Sequence, residues 1–175
     1  KLRKDLAEKT VHMSHGMVKL PGAEKMSSRK GKIIDAQWLL DETREKVLAI
    51  MEKNGKSKKV ETAEKISQAA IKYAFLKVGV GKDVVFDFEK SISFDGDTGP
   101  YLLYVYARGN SLLKDSDFKD LGNLCVGSCL GNPYAKELLG HIGKYGGAVL
   151  NSGMSYSPSI LCQYLFDLGD RKSVV

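Results

Sequence analysis

After Asp35, apolar residues return at intervals of three and four through successive stretches of the chain, a spacing that leaves helices packed on helices as the main solution. Asp35 stands as an N-cap before Ala36, Leu39, Leu40, Val47, Ile50 and Met51, which predicts an amphipathic helix ending near Asn54 and Gly55, with Trp38 covering its edge. A second helix is expected where Ile66, Ala69, Ala70, Tyr73 and Ala74 share a face whose small residues permit close packing, until Gly79 and Gly81 stop the run. Between these two, Lys53, Lys56, Lys58 and Lys59 around Gly55 have the composition of a solvated linker.

The third helix has the clearest pattern. Asp97 or Thr98 can cap it, and Pro100 falls in its first turn, where a missing N–H does no harm. Leu102, Tyr106, Gly109 and Leu113, with Val105 and Leu112 beside them, are expected to make core. Tyr101, Tyr104, Arg108 and Ser111 form a second stripe, expected on the open face, that places two aromatic plates beside a guanidinium. Aromatic rings stack on unpaired bases and a guanidinium meets phosphate or a base edge, so Tyr101, Tyr104 and Arg108 are candidate RNA contacts.

The rest is less regular. Thr10 to Leu20 has an extended pattern closed by Pro21 and Gly22, Val84 to Phe88 that of a short strand or extended arm, and Glu89 to Phe94 that of a helical turn. Lys114 to Gly131 has loop composition. Pro133 to Ile142, a glycine-interrupted segment through Leu150, and a last helix after Ser157 and Pro158 with Ile160, Leu161, Tyr164, Leu165 and Leu168 inward complete the chain. The expected fold is mainly α, with the bulk of the chain a helical bundle.

Lys25-Met26-Ser27-Ser28-Arg29-Lys30-Gly31 concentrates cations, hydroxyls and a glycine between extended and helical sequence. Lysine and arginine neutralise phosphate and donate to its oxygens, serine hydroxyls add short neutral donors, and glycine lets the backbone turn. The run lacks the leading glycine of the common G-x-x-x-x-G-K-[ST] phosphate loop. It resembles instead the K-M-S-K-S loop of class I aminoacyl-tRNA synthetases. With Ser14-His15-Gly16-Met17-Val18 upstream, and Phe94-Asp95-Gly96-Asp97-Thr98-Gly99-Pro100-Tyr101 followed by Ala107 and Arg108 downstream, the chain from about Val11 to Leu168 is similar to arginyl-tRNA synthetases.

That resemblance implies that residues 1–34 form a short edge of the α/β nucleotide-binding catalytic domain and 35–175 a helical connector and anticodon-binding domain, with ATP as substrate together with Mg2+ for which no ligand motif is recognisable here, and tRNA(Arg) and L-arginine as partners of the whole enzyme. It assigns ATP contacts to His15, Gly16 and Met17 near the adenine and to Lys25, Ser27 and Ser28 at the phosphates. Lys25, Arg29 and Lys30 become the candidate catalytic cations on the departing pyrophosphate. The pattern departs at one point: Ser28 and Arg29 occupy the places of the second lysine and last serine. A noncatalytic RNA-binding module on the same bundle, or another class I synthetase, is the alternative.

With 175 residues, no initial methionine and no first class I motif near its start, the chain is expected to be part of a longer protein and inactive alone. His141-Ile142-Gly143 superficially resembles that first motif but lies downstream of the basic run, in helical sequence, where the motif does not belong. A formal charge of +6 favours a polyanionic partner. The three cysteines, Cys125, Cys129 and Cys162, suit buried free thiols in a reducing cytoplasm, since no His or further Cys completes a zinc set around the first two. Apolar runs fall well short of the roughly 20 residues a membrane span needs.

Overall fold

The computed structural model describes residues 3–22, 35–55, 59–115 and 131–171. Their order is α1 (Lys4–Ala7), β1 (Val18–Lys19), α2 (Ala36–Lys53), α3 (Val60–Leu76), β2 (Val84–Val85), α4 (Phe88–Ser91), α5 (Gly99–Asp115), α6 (Pro133–Ile142), α7 (Tyr145–Met154) and α8 (Pro158–Arg171). The mainly helical expectation holds: β1 and β2 form one small parallel pair, Val18 opposite Val84 and Lys19 opposite Val85. The basic run, Lys56 and Lys58, Cys125 and Cys129 lie outside the described residues.

Sequence sets the bounds of α2 and α3. The Asp35 carboxylate accepts the Gln37 N–H at 3.3 Å, capping α2 as expected, and Gly55 at φ 66° turns the chain beyond its end. Leu39, Val47 and Met51 are buried, with Thr43 filling the gap by donating its hydroxyl to the Leu39 carbonyl at 2.6 Å. On α3 the buried stripe is Ala63, Ser67, Ala70, Tyr73 and Ala74. These small side chains let α2 and α5 pack against α3 closely. Two apolar clusters result, one of Val47, Met51, Ala63, Ala70 and Ile92, the other of Leu39, Ala74 and Phe86. Leu20, Phe75 and Phe88 complete the second, where the rings of Phe86 and Phe88 meet edge to face at 5.2 Å and Trp38 meets Phe88 at 6.0 Å.

The turn before α5 is the most densely bonded part of the described chain. Thr98 is its cap: Oγ1 donates to the Ser93 carbonyl at 2.6 Å and accepts the Tyr101 N–H at 3.1 Å. Gly99 lies so near α3 that a Cβ there would fall far inside van der Waals contact with the Ala69 carbonyl. Asp97 receives the Tyr73 hydroxyl on its carboxylate, and Lys77 Nζ donates to the Asp97 carbonyl at 2.6 Å while standing 3.3 Å from Oδ2. The Cys162 carbonyl of α8 lies 3.1 Å from the same hydroxyl, so α3, α5 and α8 meet there. Burial, then the hydrogen bond to Asp97, pushes the Tyr73 phenol well above its ordinary range, and burial likewise pushes the Cys162 thiol up.

Four expectations need correction. The core face of α5 is Tyr101, Leu102 and Val105, close enough to Gly169 of α8 that a Cβ there would meet all three side chains at 3.4 to 3.7 Å; Tyr106, Leu112 and Leu113, expected inside, are 71%, 57% and 65% exposed. Only the first half of α5 is held between α3 and α8, so hydrophobicity in its second half does not decide burial. Ile160 of α8 is exposed as well, and the glycine-interrupted segment is a regular helix through Met154, closed by Tyr156 at φ 51°. α5 also continues to Asp115, two residues into the expected loop. Cys162 is a buried free thiol as expected.

Two outcomes follow from this geometry. Gly99→Ala should lower the urea midpoint by an amount worth about 1 to 3 kcal/mol, because α3 and α5 must move apart. Gly147→Ala, at a helical site open around its Cβ, should raise stability by roughly 0.5 to 1 kcal/mol. Equal effects at the two sites would contradict the close approach. The raised phenol gives a pH dependence: Tyr73 stays neutral in the fold while the unfolded chain ionises from about pH 10. Its contribution is complete below that pH and is lost above it, with a slope of up to about 1.4 kcal/mol per pH unit. Tyr73→Phe should remove that slope in alkaline urea titrations, measured in a Cys162→Ala background so that the thiol adds nothing.

Candidate functional site

The segment that leads into the basic run is docked by its backbone. The Met17 carbonyl accepts the Val84 N–H at 2.8 Å and the Lys19 carbonyl accepts the Phe86 N–H at 2.8 Å. Asp83 completes the attachment: Oδ1 accepts the Met17 N–H at 2.8 Å and Oδ2 pairs with the Lys19 ammonium. Gly16 has no room for a side chain, since a Cβ would press into the Lys82 carbonyl. Gly81, at φ 80°, makes the turn that brings Lys82 and Asp83 there.

Among His15, Gly16 and Met17, then, Gly16 is a packing glycine, and both backbone groups of Met17 are engaged toward β2. Alternation along the strand turns the Val18 N–H and carbonyl toward the opposite edge. The His15 ring is exposed, with Nδ1 3.1 Å from the neighbouring Gly16 carbonyl, and the Met17 side chain is exposed too. Lys25, Ser27, Ser28, Arg29 and Lys30 lie outside the described residues. Both borders of their segment are placed, however: Leu20 before it and Leu39 after it belong to the Phe86 cluster. Asp83 is the residue that sequence reasoning missed. Its signal was a carboxylate between a glycine turn and an extended run, but the partner lies 66 residues away and no local spacing reveals it.

The second candidate is the open face of α5. Tyr104 is 46% exposed, and its hydroxyl oxygen accepts Arg108 Nη1 at 3.1 Å, one helical turn on. The two expected partners therefore meet and share the solvent face. Tyr101 does not join them. At 8% exposure its ring lies 5.8 Å from that of Phe166 on α8, so the expectation of two adjacent plates is corrected to one. The physical reason is the clamp on the first turn of α5, which turns Tyr101 inward.

Among the described residues no three of His, Cys, Asp and Glu come together as a metal set, and no helix is long and apolar enough to cross a membrane.

Residues 4–88 match the family profile described as tRNA synthetases class I (R), catalytic domain, a stretch that includes α2 and α3 and ends at Phe88. An arginine–tRNA ligase of Flavobacterium psychrophilum is 35% identical over 96% of this chain and 28% of its own length, and one of Treponema denticola is 37% identical over 93% and 29%. Among solved structures, the arginyl-tRNA synthetase of Thermus thermophilus matches with a TM-score of 0.79 at 30% identity, over 95% of this chain and 27% of that one. The chain thus spans between a quarter and a third of the length of these relatives. In sequence and in fold alike, the chain belongs to the arginyl-tRNA synthetase family of class I.

Proposed function

We propose that the chain serves an enzyme that activates arginine with ATP and transfers it to tRNA(Arg), working in the cytoplasm. Residues 1–34 contribute the catalytic edge and the phosphate loop, and 35–175 contribute the surface that receives unpaired anticodon bases. The relatives' names support the reaction, and one observation carries the RNA assignment: a half-exposed Tyr104 ring, oriented by the Arg108 guanidinium, on a helix anchored at its first turn. A base stacked on such a ring contributes about 1 to 3 kcal/mol.

In the reaction, negative charge develops on the leaving pyrophosphate, and preorganised cations stabilise it where it appears. Lys25, Arg29 and Lys30 are suited to that role, with Ser27 and Ser28 as neutral donors. His15, Gly16 and Met17 directly precede β1, which leads to them, and Asp83 holds that segment in place. Magnesium would accompany the ATP, and the chain's own contribution to phosphate charge is the cationic run.

Two measurements test the reading. Tyr104→Ala should weaken binding of an arginine-anticodon stem-loop at least about fivefold. Its effect on the urea midpoint should be small, because the ring is already half in water. A large stability loss with unaltered RNA affinity would make Tyr104 a packing residue. In an enzyme carrying this segment, Lys25→Ala should slow single-turnover arginyl-adenylate formation about 100-fold and change arginine affinity far less. An unchanged rate would reduce the basic run to a solvated loop.

A further inference from the structure

Away from both sites, α7 carries no charge. No Asp, Glu, Lys or Arg occurs between Lys144 and Asp167, although these residues make up 27% of the chain, so α7 is not an ordinary solvated helix. One side of it is occupied. α7 packs along α8, with Ala148 and Ser152 half-buried and the Tyr145 ring 5.9 Å from that of Tyr164. Helical rotation turns Gly146, Gly147, Leu150, Gly153 and Met154 to the opposite side. There Leu150 is 62% and Met154 73% exposed, and a Cβ placed on any of the three glycines meets nothing within 4 Å among the described residues. The result is an apolar face without a partner.

The relief of this face identifies the partner. Leu150 stands at its middle, the pair Gly146 and Gly147 leaves a hollow one turn before, and Met154 forms a bulge one turn after. An antiparallel second copy, related by a two-fold axis at Leu150, sets each Met154 over the other copy's glycine pair and Leu150 against Leu150. Gly146 then lies beside Gly153 of the other copy, where missing side chains let the backbones approach. The unbranched thioether of methionine is suited to filling such a hollow. A parallel pairing would instead set bulge on bulge and hollow on hollow. The face thus fits itself in one orientation, which is the self-complementarity that an isologous contact requires.

We propose that the outer face of α7 is a self-association surface that joins two copies of this chain, α7 antiparallel to α7. Charge agrees with that orientation. Antiparallel pairing brings exposed Lys144, which precedes α7, beside the last carbonyls of the other copy's helix, a favourable place for a cation. The two Lys144 are then roughly 18 Å apart at about 1.5 Å per residue, beyond the screening length of about 8 Å, so they do not repel across the contact. Size sets the strength. A helix about 15 Å long and about 10 Å across buries less than the roughly 800 Å2 per partner of a standard interface, so the dimer is reversible and concentration-dependent. The contact is independent of the RNA reading of α5.

The test is sedimentation equilibrium of the 175-residue chain between about 10 μM and about 1 mM. The weight-average mass is expected to rise from 19.2 kDa toward twice that value. Leu150→Glu, which places like charges on the two-fold axis, is expected to raise the dimer dissociation constant at least about tenfold. Gly147→Gln fills the hollow with a better helix former, so it is expected to weaken the dimer while raising the urea midpoint, an opposition that a purely structural role of α7 does not produce. Tyr106→Glu, on the exposed second half of α5, is expected to leave the dimer unchanged. A mass that stays at 19.2 kDa at the highest concentration would overturn the proposal. So would a dimer that persists in both α7 variants, or one that Tyr106→Glu dissociates, which would move the contact to α5. Should Leu150→Glu fail to fold, Gly147→Gln decides alone, because its site is open and helical.

Discussion

The contact of Gly99 with the Ala69 carbonyl is the constraint on which the helical part of this chain depends. It sets how closely α5 approaches α3, and the residues around it fix everything else about that junction. Asp97 draws in Tyr73 and Lys77 of α3, Thr98 closes the turn after α4, and fully buried Pro100 fills the first turn of α5. The run Asp95-Gly96-Asp97-Thr98-Gly99-Pro100-Tyr101 is thus a statement about packing at almost every position. Gly96 supplies a φ of 77°, the cap needs a hydroxyl, the close approach needs no Cβ, and Tyr101 closes against Phe166. A motif that marks the family belongs here to the architecture and only indirectly to chemistry.

A second junction joins the basic run to this frame. β1 leans on β2 through the ladder and through Asp83, and β2 passes directly into Phe86 and Phe88. Leu20 at one border of the run and Leu39 and Trp38 beyond the other reach the same aromatic cluster. Both ends of the segment are therefore fixed to one short stretch of chain, residues 84–88, which continues through α4 to the turn at Asp97. The exposed Lys19 and Asp83 pair is a modest contributor by itself, worth up to about 1 kcal/mol. Its value is geometric: one carboxylate holds a backbone N–H and an ammonium two residues apart, and so fixes the register of a strand too short to fix its own.

What the sequence disclosed was local. The Asp35 cap, most of the inward face of α2, most of the small-residue stripe of α3 and the placing of Pro100 in a first turn all depend on near neighbours and are found, although Ala36 is exposed and Thr43, Ala63 and Ser67 join the buried faces. The errors share a different cause. Burial along α5 is decided by where α3 and α8 end against it, so Tyr101 is inside and Tyr106 outside although hydrophobicity ranks them alike. The helix over Tyr145–Met154 forms despite Gly146, Gly147 and Gly153, because α8 packs along it and tertiary contact overrides weak propensity. Asp83 was invisible for the same reason: its meaning lies in a partner far along the chain.

The division of α5 into a buried half and an open half bears on how it can bind. A surface side chain that becomes ordered on binding forfeits about 0.5 to 1.5 kcal/mol, an amount that would offset much of one stacked base. Tyr104 avoids part of that cost. It has only two side-chain torsions, its hydroxyl is already held by Arg108, and the helix beneath it is fixed three residues earlier by Tyr101 and at its first turn by Thr98. The guanidinium that orients the ring has further donors, so in the proposed RNA contact one arrangement would supply both a stacking plate and a phosphate partner. Had Tyr101 also faced outward, as its spacing suggested, the helix would have gained a second plate and lost the packing that steadies the first. The inward turn of Tyr101 is therefore the condition under which Tyr104 can act as a preorganised contact.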